Sequence, residues 1–168
     1  MNDDRPNLVL TGFMGTGKST AARLAAQLTG MTLVDTDNLI AKRAGMPIRE
    51  VFRAKGEPEF RHIEREVCVE VSGRSGQVIA TGGGMLVDPV NLAAMMENGV
   101  VICLWAPAEE LRRRLTGDPS RPLAGDWEAV LEKRQSIYEA MPHHIYTEGK
   151  TPEQVAKEAV AIWRNHLR

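Results

Sequence analysis

Residues 12–19 read Gly-Phe-Met-Gly-Thr-Gly-Lys-Ser, the spacing GxxxxGK[ST]. A glycine-rich turn of this kind points backbone N–H groups inward to form an anion-sized nest, and the helix that follows adds its positive N-terminal end. In this reading Lys18 reaches the β- and γ-phosphates of a nucleoside triphosphate, and Ser19 gives a hydroxyl to Mg²⁺. Gly12, Gly15, Thr16, Gly17 and Thr20 complete the cradle. A chance match in a chain of average composition arises well under ~1% of the time. Downstream, Asp35 and Asp37 alternate along Val34-Asp35-Thr36-Asp37, which aims one at a metal and the other at an acceptor. A lone Asp35 would more readily be the N-cap of the next helix. Beside a phosphate-loop strand the functional reading leads. Gly82, Gly83 and Gly84 let backbone groups approach hydroxyls closely, or else make only a turn. Arginine forks at 61, 114, 121 and 134 suit carboxylates and phosphates. Each has a plainer reading. Arg61 pairs with Glu57 or Glu64, Arg134 lies on a solvated helix face, and Arg112–Arg114 form a cationic helix end.

The elements that must hold these residues alternate. Asn7–Thr11 is a short apolar run ending at a glycine, as in a strand buried on both faces. A helical pattern follows over Gly17–Leu28 and stops at Gly30. Thr32–Val34 reads as a strand. Asp37–Ala44, Pro47–Ala54 and Glu57–Ser72 read as helices, the last with the apolar stripe Phe60, Ile63, Val67, Val71. Val78–Ala80 and Val100–Trp105 are strands, with a helix over Pro89–Glu97 capped by Gly99. Helices at Pro107–Leu115 and Trp127–Ala140 flank the aperiodic loop Gly117–Gly125. A weak strand at His144–Thr147 and a helix at Thr151–Leu167 close the chain. Strands alternating with helices predict an α/β fold with a parallel sheet, and such folds bind ligands at the carboxyl ends of the strands. Gly12–Lys18, Asp35–Asp37 and Thr81–Gly84 all fall at such ends.

Composition narrows the function classes. The 168 residues carry 21 Lys plus Arg against 22 Asp plus Glu, a net charge of −1. Nucleic-acid binders usually show a basic excess, so none is expected as a partner. One domain fits the length. The longest apolar run, near Val100–Ala108, is too short for a bilayer, and the acidic start MNDDRPN is no signal peptide, so a soluble cytoplasmic protein without a membrane partner is expected. Size and charge are compatible with a monomer. Cys68 and Cys103 sit in apolar surroundings without CxxC and read as buried, reduced thiols. The four histidines lack metal-ligand spacing. A guanine-reading NKxD is absent, which argues against a GTPase.

GFMGTGKST, DTD at 35–37, GEPEFRHIE at 56–64, TGGG at 81–84, RPLA at 121–124, and Arg134 followed by Tyr138 occur in the order found in shikimate kinases, and the chain resembles that family over nearly its whole length. The resemblance implies a three-layer P-loop kinase fold, with a five-stranded parallel sheet flanked by helices, an acceptor-binding region at about 36–64, and a mobile lid at about 116–125. It implies transfer of the ATP γ-phosphoryl to the 3-hydroxyl of shikimate, with Mg²⁺. Asp37 resembles the acceptor-binding acid and Asp35 the residue organising Mg²⁺. Arg61 and Arg134 resemble the carboxylate grip, and Gly82–Gly84 the backbone touching hydroxyls. Arg121 resembles the lid arginine on the transferring phosphate. Arg114 with Lys150–Pro152 resembles the adenine walls, and Phe52, Phe60 and Glu64 match acceptor-side positions. Two departures stand out: Ala124, where a second Leu is usual, and Met141-Pro142-His143-His144 before the last strand, which leaves the start of that strand open. A kinase for another hydroxylated acid or a nucleotide, and a non-catalytic nucleotide-binding module, are the competing readings.

Overall fold

The structure is a computed structural model and describes residues 3–116 and 126–168. Five strands form one sheet: β1 (Asn7–Gly12), β2 (Thr32–Asp35), β3 (Gln77–Ala80), β4 (Gly99–Trp105) and β5 (His143–Tyr146). Every pairing is parallel, and the order is β2-β3-β1-β4-β5. The chain goes to one side of β1 for β2 and β3 and to the other for β4 and β5. The carboxyl end of β1 is therefore where the strand order reverses, the place such sheets open a crevice.

Side-chain alternation along the central strands builds a core on each face. Leu8 and Leu10 of β1, Val78 of β3, and Ile102 and Leu104 of β4 join one cluster with the alanine-rich face of α1 (Lys18–Thr29) and with α8 (Pro152–His166). Val9, Ile79, Val101 and Cys103 point the other way. There they meet Ile63, Val67 and Val71 of α4 (Glu57–Ser72), Leu111 of α6 (Ala108–Thr116) and Tyr138 of α7 (Trp127–Glu139). Helix–sheet–helix layering follows, as expected for a chain whose central strands are apolar on both sides. The remaining helices, α2 (Thr36–Ala44), α3 (Ile48–Lys55) and α5 (Pro89–Glu97), each pack against α4. Among the described residues no helix is long and apolar enough to cross a membrane.

Several boundaries differ from the sequence reading. Helix α2 starts at Thr36, one residue before the expected Asp37, so Asp35 and Asp37 straddle its N-terminus instead of alternating along a strand. Asn98, not Gly99, ends α5, and Gly99 opens β4, where a β-carbon would stand 2.8 Å from the Met95 carbonyl oxygen. A short 3₁₀ turn at Met85–Val87, which has no periodic signal, follows the glycine run. The last strand starts at His143, and Met141 is buried. Cys68 and Cys103 are free and buried, and burial pushes their thiols up to about 11 and about 12. The expected lid and Arg121 lie outside the described residues.

Candidate active site

The phosphate loop joins β1 to α1. Gly12, Gly15 and Gly17 have φ of 133°, 82° and 89°, values that side-chain-bearing residues rarely adopt. Gly12 lines neither cavity. Its role is steric, because a β-carbon there would collide with the Leu104 carbonyl oxygen of β4. Thr16 also works within the loop, its hydroxyl donating to the Phe13 carbonyl at 2.7 Å. Lys18 Nζ donates to the carbonyls of Gly12 at 2.7 Å and Phe13 at 2.9 Å, which holds its charge over the loop.

Asp35 caps a helix and also faces Ser19. One carboxylate oxygen caps α2 by accepting from the N–H groups of Asp37 at 3.0 Å and Asn38 at 3.3 Å. The other accepts from Ser19 Oγ at 3.4 Å. The hydroxyl of Ser19 and this carboxylate make a pair of hard oxygen donors beside Lys18. That suits Mg²⁺, which takes one or two protein oxygens and completes its shell with water and substrate phosphates. Among the described residues there is no cluster of three or more His, Cys, Asp or Glu able to hold a metal alone.

Two cavities flank the loop. One, of about 430 Å³, lies between the loop, α6 and the start of α8, with Arg114, Thr147, Lys150 and Pro152 on its walls. Arg114 is fixed by its pairing with Glu110 at 2.8 Å, and donates to the Gly15 carbonyl and to Thr147 Oγ1 at 3.1 Å each. Hydrogen bonds from Arg113 and Arg114 draw the Glu110 carboxyl down to about 2. Lys150 pairs with Glu158 at 2.7 Å. Arg112, by contrast, reaches Glu128 on the surface.

The second cavity, about 650 Å³, opens on the other side of Lys18 and Ser19 and is bounded by Asp35, Asp37, Ile48, Arg49, Phe52, Gly82 and Gly83. The glycine run after β3 gathers the charged groups. The Gly82 N–H donates to Thr36 Oγ1 at 3.0 Å, and a β-carbon at Gly82 would stand 2.5 Å from Asp37 Oδ1. A β-carbon at Gly84 would stand 2.8 Å from Arg61 Nη1 and 3.0 Å from Arg134 Nη2. Two guanidinium groups from α4 and α7 thus converge on one point, with the Asp37 carboxylate two residues away along the same backbone. Arg61 does pair with Glu64 at 2.8 Å and with Glu57 at 3.6 Å, as the plainer reading had it, yet still reaches Gly84. Arg134 is likewise turned inward from its helix. Burial raises the Asp37 carboxyl above its usual range, nearby Asp35 adds to this, and Lys18 opposes it. Glu64 is also raised by burial, against the pull of Arg61. Phe52 and Phe60 stack with ring centroids 4.4 Å apart, and Phe52 gives the cavity an apolar wall.

Sequence reasoning passed over Ile48, Arg49, Glu110 and Thr147. Arg49 carried no signal of its own, since one arginine on a short helix reads as solvated. Glu110 could have been paired with Arg114 by their i, i+4 spacing.

The geometry can seat a triphosphate on one side of Lys18 and a small polar acid on the other, with an acceptor-side carboxylate between. A family model described as shikimate kinase matches residues 14–163. The chain is 39% identical to a shikimate kinase of Caldicellulosiruptor bescii over 162 residues, 93% of this chain and 94% of the relative. It is 41% identical to one of Geobacter sulfurreducens over 169 residues, covering 97% and 93%. Among solved structures, shikimate kinase from Acinetobacter baumannii in complex with shikimate superposes with a TM-score of 0.88 at 31% identity, over 98% of this chain and 96% of that one.

Proposed function

The chain belongs to the shikimate kinase family, and from that premise we propose how its residues divide the phosphorylation of shikimate by ATP. The enzyme transfers the γ-phosphoryl of ATP to shikimate, and the attacked oxygen in our reading is the 3-hydroxyl. The observation that carries the assignment of roles is the meeting of Arg61 and Arg134 at Gly84, beside Asp37 at Gly82. Two cationic forks at one point suit a single carboxylate, which they grip by charge-assisted hydrogen bonds. Gripping it there fixes the hydroxylated ring against the glycine run. Asp37 then faces the attacked hydroxyl and accepts or orients its proton. A carboxyl raised above its usual range is a better proton acceptor than an exposed aspartate.

Across Lys18 the phosphate loop holds the triphosphate, and Lys18 neutralises charge building on the transferring group. Ser19 and Asp35 would hold Mg²⁺, directly or through water, and the ion would neutralise phosphate charge. Arg114, Lys150 and Pro152 form the walls for the base. Arg121, outside the described residues, is assigned to the transferring phosphate by sequence resemblance alone. Two buried thiols without a disulfide support a reducing, cytoplasmic setting.

Coupled ADP release tests this. With ATP and Mg²⁺, shikimate should support turnover while gluconate and AMP should not. ATP binding without shikimate-dependent turnover would leave the phosphate loop assigned and the acceptor reading refuted.

A further inference from the structure

Tyr138 is wholly buried, yet its hydroxyl donates to the carbonyl of Gly83 at 2.7 Å, across 55 residues of sequence. Its ring meets Trp105 of β4 edge-on, with centroids 6.5 Å apart at 68°. Its own carbonyl accepts from His144 Nε2 at 2.7 Å, which ties the end of α7 to β5. One residue thus joins three parts: the helix that carries Arg134, one edge strand of the sheet, and the middle of the glycine run. A trans peptide sets N–H and carbonyl on opposite sides, so pinning the Gly83 carbonyl fixes the direction of the Gly84 N–H. Among the described residues the N–H groups of Gly83 and Gly84 have no protein acceptor, in contrast to that of Gly82 on Thr36.

We propose that Tyr138 is a positioning residue for the acceptor: by holding the Gly83–Gly84 peptide and α7 in one register, it aims a free backbone N–H and the Arg134 guanidinium at the same ligand. This rests on the assignment of the glycine run and Arg134 to the acceptor side. Tyr138 touches the ligand only through those groups. A buried phenol is well suited to the task, because desolvation raises its pKa and keeps it a donor at every working pH.

The test is Tyr138→Phe, which keeps the ring and its contact with Trp105 and removes one oxygen. Parent and variant are assayed together with shikimate and ATP varied in turn, and thermal unfolding is followed alongside. The shikimate KM should rise roughly tenfold, the order expected when a buried carbonyl loses its donor, while the ATP KM changes less than about twofold. A merely structural role would lower Tm and move both KM values together, and that result would overturn the proposal, as would an unchanged shikimate KM. Tyr138→Phe combined with Arg134→Lys supplies a second reading. The Tyr138 phenol also faces the Arg134 guanidinium directly, so strongly non-additive losses in shikimate affinity support coupling between the two residues, and additive losses refute it. A parent without shikimate turnover would sink the acceptor assignment and this proposal together, and is recognised by the parent alone.

Discussion

The two sides of Lys18 treat the same chemical pair in opposite ways. On the nucleotide side, Glu110 lies among Arg113 and Arg114 and is held well below the usual carboxylate range, at about 2. On the acceptor side, Glu64 also has an arginine 2.8 Å away, yet is raised. The difference is the balance of partners against burial. Glu110 is itself largely covered at the cavity wall, and hydrogen bonds from two guanidinium groups outweigh its desolvation. Glu64 is nearly sealed, and desolvation, with Asp37 adding to it, outweighs the pull of Arg61 and Arg134. Asp37 repeats the pattern, with Asp35 worsening it. The nucleotide half is thus electrostatically settled. The acceptor half keeps like and unlike charges partly dry.

Breaking the acceptor half should cost most. Asp37→Asn should lower kcat by about 10²- to 10⁴-fold, the range for losing a positioned proton acceptor, with ATP binding retained. The same change should raise Tm at neutral pH. The sign follows from the raised pKa: protonated Asp37 favours the fold at acid pH, and that contribution is lost as pH rises through its folded value. The gain in Tm should therefore shrink toward acid pH, where the parent is itself protonated. For the same reason kcat of the parent should fall on the acid side at a pH above the usual aspartate range. A variant less stable than its parent at pH 7, or one that still turns over, would contradict a buried, raised carboxyl acting on the acceptor.

Next come the arginines. Arg61→Ala and Arg134→Ala should each raise the shikimate KM about 10- to 100-fold, as expected for losing a hydrogen bond to a charged group, and leave the ATP KM nearly alone. Arg61→Ala should also destabilise, because it strands Glu64 in a buried site. Adding Glu64→Gln should then recover stability without recovering affinity. If both return together, Arg61 acts through Glu64 and not on the ligand. On the settled side the effect should be smaller. Arg114→Ala should raise the ATP KM about 3- to 10-fold by releasing Gly15 and Thr147, with shikimate kinetics preserved.

The same contrast governs how much the sequence discloses. The phosphate loop is contiguous, and its glycines announce positive φ, so the nucleotide half can be read from eight residues. The strand-and-helix alternation and the two-faced apolar strands make the parallel sheet legible too. The order β2-β3-β1-β4-β5 cannot be read that way, because nothing in a short apolar strand names its neighbours. The acceptor half draws on α2, α4, the glycine run and α7, and no spacing joins Arg61 to Arg134. Only the ordered resemblance placed them together. Asp35 is instructive: helix-capping and a metal-directed role compete for it in the sequence, whereas in the structure its cap and its contact with Ser19 use different oxygens of one carboxylate.

The smallest expected effect concerns Arg49, which the motif reading left out. It is exposed, sits on the first turn of α3, and borders the acceptor cavity with Ile48 and Phe52. No hydrogen bond or ion pair engages it among the described residues. An exposed cation at a cavity mouth adds mainly long-range attraction, which salt screens over about 8 Å at physiological ionic strength. Arg49→Ala should therefore lower kcat/KM for shikimate about two- to threefold at low salt, and the difference should vanish by about 0.5 M salt, where screening is nearly complete. Arg61→Ala should respond otherwise, keeping most of its deficit at high salt because its contacts are short and partly dry. A salt-independent loss at Arg49 would move it from the mouth of the cavity into the grip itself. The acceptor half would then hold three cations against Asp37 and Glu64 instead of two.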